Sequence, residues 1–468
     1  MKYRMGRATG YEEWLDLATA YDKANGLDRW RRRDETRQYD YVAIRARVDK
    51  LRKLKSRHDV RGLLLHLNEG IHGNLGGMGR AGLYGHAMMG TKHLIEDYVD
   101  EICHALDLIA TDEHSDISVE EKYDFFQRAS HCFGQSALMM SASGSLFFYH
   151  LGVARALLKA GLLPSIISGS SGGSIAGSIV CTHSDDELLE ILTPEYFIEL
   201  FDTSADKGKV DRGEQLRESL RKLVPDLTFQ QAFEKTGRQM NISIAPAEKH
   251  QSSRLMNATT SPAVLMHRAI RASCAVPGFF SPVTLETLDA DGARQKYLPN
   301  RAWVDGAVSD DLPAKRLARL YGVNHFIVSH TNPGTRSLVN DQQRKLKPMH
   351  VVSKASRRTA REWFNAYSSL MDISGMHRGR LGTVNRMIKS LINQEHGGDI
   401  NIVADYKAIN PFTVLDSPSE KQVRDLMQRG ERCTWPKLEM VRQQTRISQK
   451  LNEILGQYHV SVPSASKN

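Results

Sequence analysis

Three short stretches of this chain carry residue types that could do nucleophilic chemistry together. Gly169-Ser170-Ser171-Gly172-Gly173 fits the pattern GxSxG. The run Ser165-Ile166-Ile167-Ser168 leads into it and a helix-like segment, Ile175 to Cys181, leads out. That order makes the sharp strand-to-helix turn that lifts a serine hydroxyl above a sheet. Ser171 is the candidate nucleophile. Gly169 and Gly173 flank it because a side chain at either position would collide where strand and helix pass closely. The helix that follows also directs its N-terminal dipole at developing negative charge.

A serine hydroxyl needs a base and donors for an oxyanion. The candidate base is Asp305 in Trp303-Val304-Asp305-Gly306-Ala307, a carboxylate leaving an apolar strand into a glycine turn. Burying a carboxylate is costly unless it is paired or hydrogen-bonded, so such a placement points to chemistry. A turn-forming Asp-Gly is the bland alternative. Asp310 and Asp311 read as surface or capping residues. The donor candidates are the backbone amides of Ser143, Gly144 and Ser145, in the turn Ser141-Ala142-Ser143-Gly144-Ser145 one βα unit upstream. The chain order Ser171, Asp305, then His325 or His330 also allows a Ser-acid-His triad of the α/β-hydrolase kind. A structural or surface role for each histidine is the other reading.

The elements that must position these residues are legible as hydrophobic periodicity. Residues 1 to about 112 read as mostly helical: Trp14, Leu15, Ala18 and Tyr21, then Ile44, Val48, Leu51 and Leu54, then Leu94, Ile95, Tyr98, Ile102 and Leu106 recur at helical spacing. The glycine-rich stretch His72 to His86 reads as a helix-connecting loop, since no apolar strand leads into it and no P-loop Lys-Ser/Thr follows. The polar run Thr111 to Glu121 reads as a linker. From Ser136 the grammar changes to strand, turn, helix, strand, turn, helix. Later apolar runs at Asn241 to Ala245, Ala302 to Ala307 and His325 to His330 supply further strands of a mostly parallel sheet covered by helices. The expected domains are a helical 1–112, a linker 113–135, an α/β catalytic domain 136–333, and a basic, mostly helical region 334–468.

Composition narrows the class. The chain has 468 residues, 41% of them hydrophobic and 25% charged, with a net charge of +9. These values exclude collagenous or wholly disordered chains and allow two or three domains. Five scattered Cys without metal-ligand spacing argue against a disulfide framework or a zinc site and for a reducing compartment. No apolar run follows MKYRMGRATG, so no secretory signal is expected. The longest weakly polar stretch, Ser136 to Ala154, holds Ser141, Ser143, Gly144, Ser145 and His150, and fits a buried strand, turn and helix better than a membrane span. A cytoplasmic, peripheral protein is expected. Between Arg336 and Lys389 there are 12 Lys/Arg against 3 Asp/Glu, and a second basic run, Arg29 to Arg33, precedes Arg45, Arg47, Lys50, Arg52, Lys53, Lys55 and Arg57. Solvated helix faces explain such charge, and so does docking on an anionic lipid surface. No nucleic-acid motif accompanies it.

SASGSLFFYHLG, GSSGG and DGA, in that order, resemble the oxyanion loop, nucleophile elbow and DG[AG] motif of patatin-like phospholipases. The segments AIRASCAVPGFFSPV and VNHFIVSHTNP, with YEEWLDLATAYDKANGLDRWRRRDET at the start and LMQRGERCTWPKLEMVR near the end, resemble the triacylglycerol-lipase branch with its helical N-terminal domain. The resemblance implies a patatin-like three-layer α/β core and a Ser171–Asp305 dyad without histidine. It implies no cofactor and no metal. The substrate would be a glycerolipid ester, triacylglycerol or phospholipid, met at a membrane or lipid-droplet surface; the oligomeric state is left open. One departure stands out. The family's first loop is glycine-rich, whereas here only Gly144 remains. If the other positions require positive φ, the loop would lose its geometry, and the alternative is a non-catalytic lipid-surface binding protein.

Overall fold

The computed structural model describes residues 1–113, 116–201, 212–248, 252–277, 279–306, 311–332, 398–405 and 418–461. They fall into two compact units. The first gathers Met1–Ser136, Leu317–His325 and the described residues from Trp435, and the second holds the described parts of Ala137–Arg316 and Phe326–Thr434.

The first unit is helical. It runs through α1 (Lys2–Met5), α2 (Tyr11–Ala24), α3 (Leu27–Arg32), α4 (Tyr41–Ser56), α5 (Val60–Asn68), α6 (Ala81–Tyr84), α7 (His93–Thr111) and α8 (Val119–Phe133). The Asp40 side chain caps α4 by accepting the Ala43 N–H at 3.0 Å. Ile44, Val48, Leu51 and Leu54 form the buried stripe of α4, and it packs on α7, which buries Leu94, Ile95, Tyr98, Ile102 and Leu106. The glycine-rich stretch between α5 and α7 is a connection carrying a single 3-10 turn, Leu75–Gly77, and the four-residue α6.

The segment expected as a linker, 113–135, instead holds α8. Ser118 caps it by accepting the Glu121 N–H at 3.2 Å, and Phe125, Phe126, Ala129 and Phe133 line its buried face. Its exposed first turn, Val119-Glu120-Glu121, extends the polar look of the sequence into what is helix. The helix Leu438–Ser461 joins this unit and packs on α7 and α8, burying Val441, Ile447, Leu451 and Ile454.

The second unit is built on a sheet of order β4-β3-β2-β1-β8-β9, with β7 paired to β3 off that path. The strands are β1 (Gln135–Met140), β2 (Ile166–Gly169), β3 (Gln239–Pro246), β4 (Arg254–Met256), β7 (Trp303–Asp305), β8 (Val323–His330) and β9 (Ile400–Val403). A separate hairpin pairs β5 (Leu285–Leu288) with β6 (Arg294–Tyr297). Strands β1–β2, β2–β3 and β8–β9 run parallel, and only β4 and β7 run antiparallel to β3. The Gln135 N–H bonds to the Gly322 carbonyl and the Ser141 N–H to that of Ser329, so β1 and β8 also run the same way. This is the mostly parallel α/β core expected. Parallel pairing leaves both faces to be covered, and α9 (Phe147–Lys159) and α10 (Gly172–Thr182) are buried nearly throughout.

Two features correct the boundary placed at 333. The short run Ile400–Val403, in a region read as helical, is the edge strand β9, buried at Ile400 and Ile402. The helix Glu420–Thr434 packs on α9 so closely that only glycines fit at the crossing. A Cβ on Gly152 would lie 2.0 Å from the Met427 carbonyl oxygen, and one on Gly430 would lie 2.2 Å from that of Tyr149. The sheet unit therefore extends to Thr434. The basic run Arg336 to Lys389 lies outside the described residues, and the long polar interval hides the return of the chain to the sheet.

Candidate active site

Strand β2 ends at Gly169, and two residues later the chain enters α10. Between them Ser171 takes φ 50° and ψ −126°, one of three non-glycine residues with positive φ among those described. Such a conformation costs about 1–3 kcal/mol and persists only where its surroundings over-determine it. Here they do. The Ser171 N–H donates to Ser273 Oγ at 3.0 Å, and Ser273 Oγ donates to the Ser243 carbonyl at 2.8 Å. The Ser171 carbonyl accepts from Ser174 Oγ at 2.6 Å. Ser273 ends the helix Met266–Ser273 and Ser243 lies on β3, so helix and strand together hold the turn. The flanking glycines are sterically required. A Cβ on Gly169 would meet the Gly173 carbonyl oxygen at 2.2 Å, and one on Gly173 the Met140 carbonyl oxygen at 2.3 Å.

The loop Ser141–Ser145 leaves β1 beside this turn. Of its residues only Gly144 has positive φ, at 51°. The one glycine the loop keeps is thus at the one position that needs it, and the departure from a glycine-rich pattern does not disturb the backbone. The loop is fastened from outside. The Ser141 N–H donates to the Ser329 carbonyl at 3.1 Å, and the Ser141 carbonyl faces His150 Nε2 at 2.9 Å. The Ala142 N–H donates to Asp311 Oδ1 at 2.8 Å, and the Ala142 carbonyl accepts from Thr331 Oγ1 at 3.2 Å. The amides of Ser143, Gly144 and Ser145 have no acceptor among the described residues. An ideal Cβ on Gly172 would lie 2.3 Å from the Gly144 carbonyl oxygen and 2.7 Å from its nitrogen. The loop therefore lies directly against the residue that follows Ser171.

Asp305 arrives by strand register. Gly169 at the end of β2 pairs with Ile242 of β3. Two residues on, Ile244 pairs with Arg254 on one flank and with Asp305 on the other. Asp305 thus occupies the flank that β2 vacates where the chain turns toward Ser171. Two residues of strand rise, about 6.6 Å, separate the two positions along β3. The carboxylate is 1% exposed, and its backbone N–H donates to the Ala275 carbonyl at 3.1 Å. Gly306 follows, where a Cβ would lie 2.5 Å from the Ser243 carbonyl oxygen. Burial, and then the Asp305 charge, push the neighbouring Cys274 thiol up. Ala307 and Asp310 lie outside the described residues.

Asp311 corrects the sequence reading. Rather than a surface or capping residue it is 4% exposed, and it ties the loop after β1 to the turn after β2. Its carboxylate holds Ala142, while its main-chain carbonyl accepts from Ser170 Oγ at 3.3 Å. The run Ser309-Asp310-Asp311-Leu312-Pro313 looks like an ordinary polar turn, so no local signal marks this role. His150, Ser273 and Thr331 were likewise missed, because each acts through partners distant in sequence. His150 is fully buried between Ser141 and Ser329 Oγ, the latter at 2.7 Å, and burial pushes its pKa down to about 3.

The two candidate triad histidines are engaged elsewhere. His330 Nε2 lies 3.1 Å from Asn401 Oδ1 of β9, on the side of β8 away from β1 and β2. His325 lies 3.1 Å from Ser136 Oγ and bonds to the Gln444 side chain. In the helical unit, Arg31 pairs with Glu96, Arg33 with Glu35 and Arg45 with Asp34, while Arg52 and Lys55 share Glu101. Much of the charge of that basic run is thus matched internally. Among the described residues no group of three or more His, Cys, Asp or Glu is placed to hold a metal ion, and no helix is long and apolar enough to cross a membrane.

Comparison with known proteins gives matches to two family models: one described as a domain of unknown function, DUF3336, over residues 1–131, and one described as patatin-like phospholipase over residues 138–318. A patatin-like phospholipase domain-containing protein of Cryptococcus neoformans is 30% identical over 96% of this chain and 54% of its own length. A triacylglycerol lipase of Arabidopsis thaliana is 30% identical over 96% of this chain and 57% of its own. Triacylglycerol lipase 5 of Saccharomyces cerevisiae is 28% identical over 93% and 62%. The chain thus spans a little over half the length of these relatives.

Proposed function

We propose that the chain, which matches the patatin-like phospholipase model behind a DUF3336 domain, is a member of that family and a serine acyl hydrolase cleaving carboxylic esters of glycerolipids through Ser171 and Asp305. The observation that carries the reading is the Ser171 backbone, held at φ 50° on the exit of β2, with Asp305 delivered to the same flank of β3. Strain of this kind exposes a hydroxyl in front of a helix N-terminus and has no use in an ordinary connection.

In the proposed reaction the Asp305 carboxylate takes the Ser171 Oγ proton as Oγ attacks the ester carbonyl. The oxyanion forms against the amides of Gly172 and of Ser143, Gly144 and Ser145, which have no acceptor among the described residues. Such preorganised donors are the largest single contribution in acyl transfer. Collapse of the intermediate expels the glyceride or lysolipid oxygen, which leaves as the alcohol with the proton from Asp305. Asp305 then draws a proton from water, the resulting hydroxide attacks the acyl-enzyme, and the fatty acid departs as Ser171 recovers its proton. The dyad needs no imidazole, in keeping with the engagement of His330 by Asn401. The substrate class, triacylglycerol or phospholipid, rests on the relatives, and the site of action would be a membrane or lipid-droplet surface. The helical unit and the basic run Arg336 to Lys389 would serve there in docking rather than chemistry.

The test is labelling of the full chain with a fluorophosphonate probe, with peptide mapping, beside fatty-acid release from triolein and phosphatidylcholine emulsions. Labelling at Ser171 that is lost in Ser171→Ala and strongly slowed in Asp305→Asn, together with release from either lipid, is expected. Label at another residue, or activity that survives Ser171→Ala, overturns the assignment.

A further inference from the structure

The loop beside the nucleophile carries a buried hydroxyl whose bonding capacity is unused. Ser143 is 5% exposed, and its Oγ has no hydrogen-bond partner among the described residues. The other buried loop serine is accounted for, since Ser141 Oγ accepts the Thr331 N–H at 3.4 Å. Burying a donor with no acceptor is destabilising, and native structures retain few such groups. The backbone does not explain the residue either: φ of −145° at Ser143 lies outside the region that demands special residue types, so alanine would fill the position without an orphaned hydroxyl.

The position of the hydroxyl does explain it. A single point, the ideal Cβ of Gly172, lies 2.4 Å from Ser143 Oγ and 2.7 Å from Gly144 N. The hydroxyl and a free amide therefore converge beside the residue that follows the nucleophile, where the carbonyl oxygen of a bound ester must place its charge. We propose that the Ser143 hydroxyl is a side-chain donor of the oxyanion hole, acting alongside the Gly144 amide. This role rests on the acyl-hydrolase reading of Ser171. As the tetrahedral intermediate forms, Oγ–H donates to the oxyanion. No bond to Ser143 forms or breaks and its proton stays on Oγ, so the hydroxyl recovers its unbonded state when the intermediate collapses. The substitution of the glycine-rich loop thus removes backbone freedom that the loop does not need and adds a donor.

The test uses the full chain, Ser143→Ala and Ser143→Cys. Cysteine preserves the volume and is a weak donor, so it separates loss of the bond from loss of packing. Hydrolysis of p-nitrophenyl butyrate and inhibition by an alkyl trifluoromethyl ketone, whose hemiketal oxyanion mimics the intermediate, are read together. Both variants are expected to lose about 10²-fold in kcat with KM little changed, and the ketone is expected to weaken by the same factor. Variants with wild-type kcat, or a fall in kcat that leaves ketone affinity intact, overturn the hydroxyl's role while the hydrolase reading stands. A wild-type chain that neither turns over the ester nor takes a fluorophosphonate label overturns both.

Discussion

Replacing Asp311 by alanine should uncouple loop geometry from the rest of the molecule. The carboxylate accepts the Ala142 N–H at 2.8 Å, a charge-assisted bond, whereas the contact of Asp311 with Ser170 uses the main-chain carbonyl and survives any side-chain change. A hydrogen bond to a charged group contributes about 1.5–3 kcal/mol. Among the described residues Ala142 is held on its other side by Thr331 Oγ1, so the loss falls on the path from Ala142 to Gly144. If that free energy is what holds the Ser143 to Ser145 amides in register with Ser171, Asp311→Ala loses roughly 10- to 150-fold in kcat at about 1.4 kcal/mol per tenfold, with KM little changed. Asp311→Asn keeps an oxygen at the same position but only a neutral bond, about 0.5–1.5 kcal/mol, and should win back roughly 2- to 13-fold of the lost rate. Steady-state kinetics on a soluble ester, with urea unfolding of the same three proteins, separates the outcomes. An alanine variant that loses stability yet keeps wild-type kcat would refute the reasoning and leave Asp311 a brace of the fold alone.

Gly172→Ala places a Cβ within 2.3–2.7 Å of Gly144 and Ser143 Oγ, so the loop must move off the elbow; a loss of activity with near-native circular dichroism is expected from ester assays. Gly152→Ala forces α9 away from the helix Glu420–Thr434, and overpacking of this kind should cost about 1–3 kcal/mol, read as a lowered Tm. His150 has a folded pKa pushed down to about 3 against about 6.5 in an unfolded chain, so the unfolded state binds more protons between those values. Its contribution is intact above about pH 6.5 and declines as the pH falls toward 3, by up to about 1.4 kcal/mol per pH unit. Urea unfolding from pH 7 to 5 should show that slope in the wild type and a shallower one in His150→Gln.

The α/β grammar was legible because a parallel sheet buries its strands on both faces, leaving dense apolar runs such as Ala137 to Met140 and Ile166 to Ile167 that few other elements produce. The turn at Ser171 was legible because three glycines at fixed spacing have no cheaper explanation than close backbone approach. What escaped was whatever depends on partners far along the chain. Asp311 looks like any acid in a polar turn until Ala142, 169 residues away, is brought to it. His150 lies on a buried face of α9 where a core residue would serve, and only the folded loop reveals which atoms it meets. Strand β9 is four residues long and follows the basic interval, too short for periodicity to speak. The expected linker failed for a related reason: a helix that buries one aromatic stripe and caps itself with Ser118 reads as polar when averaged along its length.

Asp305 and Asp311 travel on one short segment, late in the chain relative to Ser171 and the loop Ser141–Ser145. Ser171 is completed by Ser273, 102 residues downstream, and Ser170 by Asp311, 141 residues downstream. During synthesis the elbow and the loop therefore emerge first, without base, brace or amide anchor. A nascent chain short of Asp305 holds Ser171 without its proposed base and the loop without its Ala142 anchor. On the proposed dyad, a chain at this stage cannot yet cleave an ester it meets while it is still being made, and one cut before Asp305 is silent by construction.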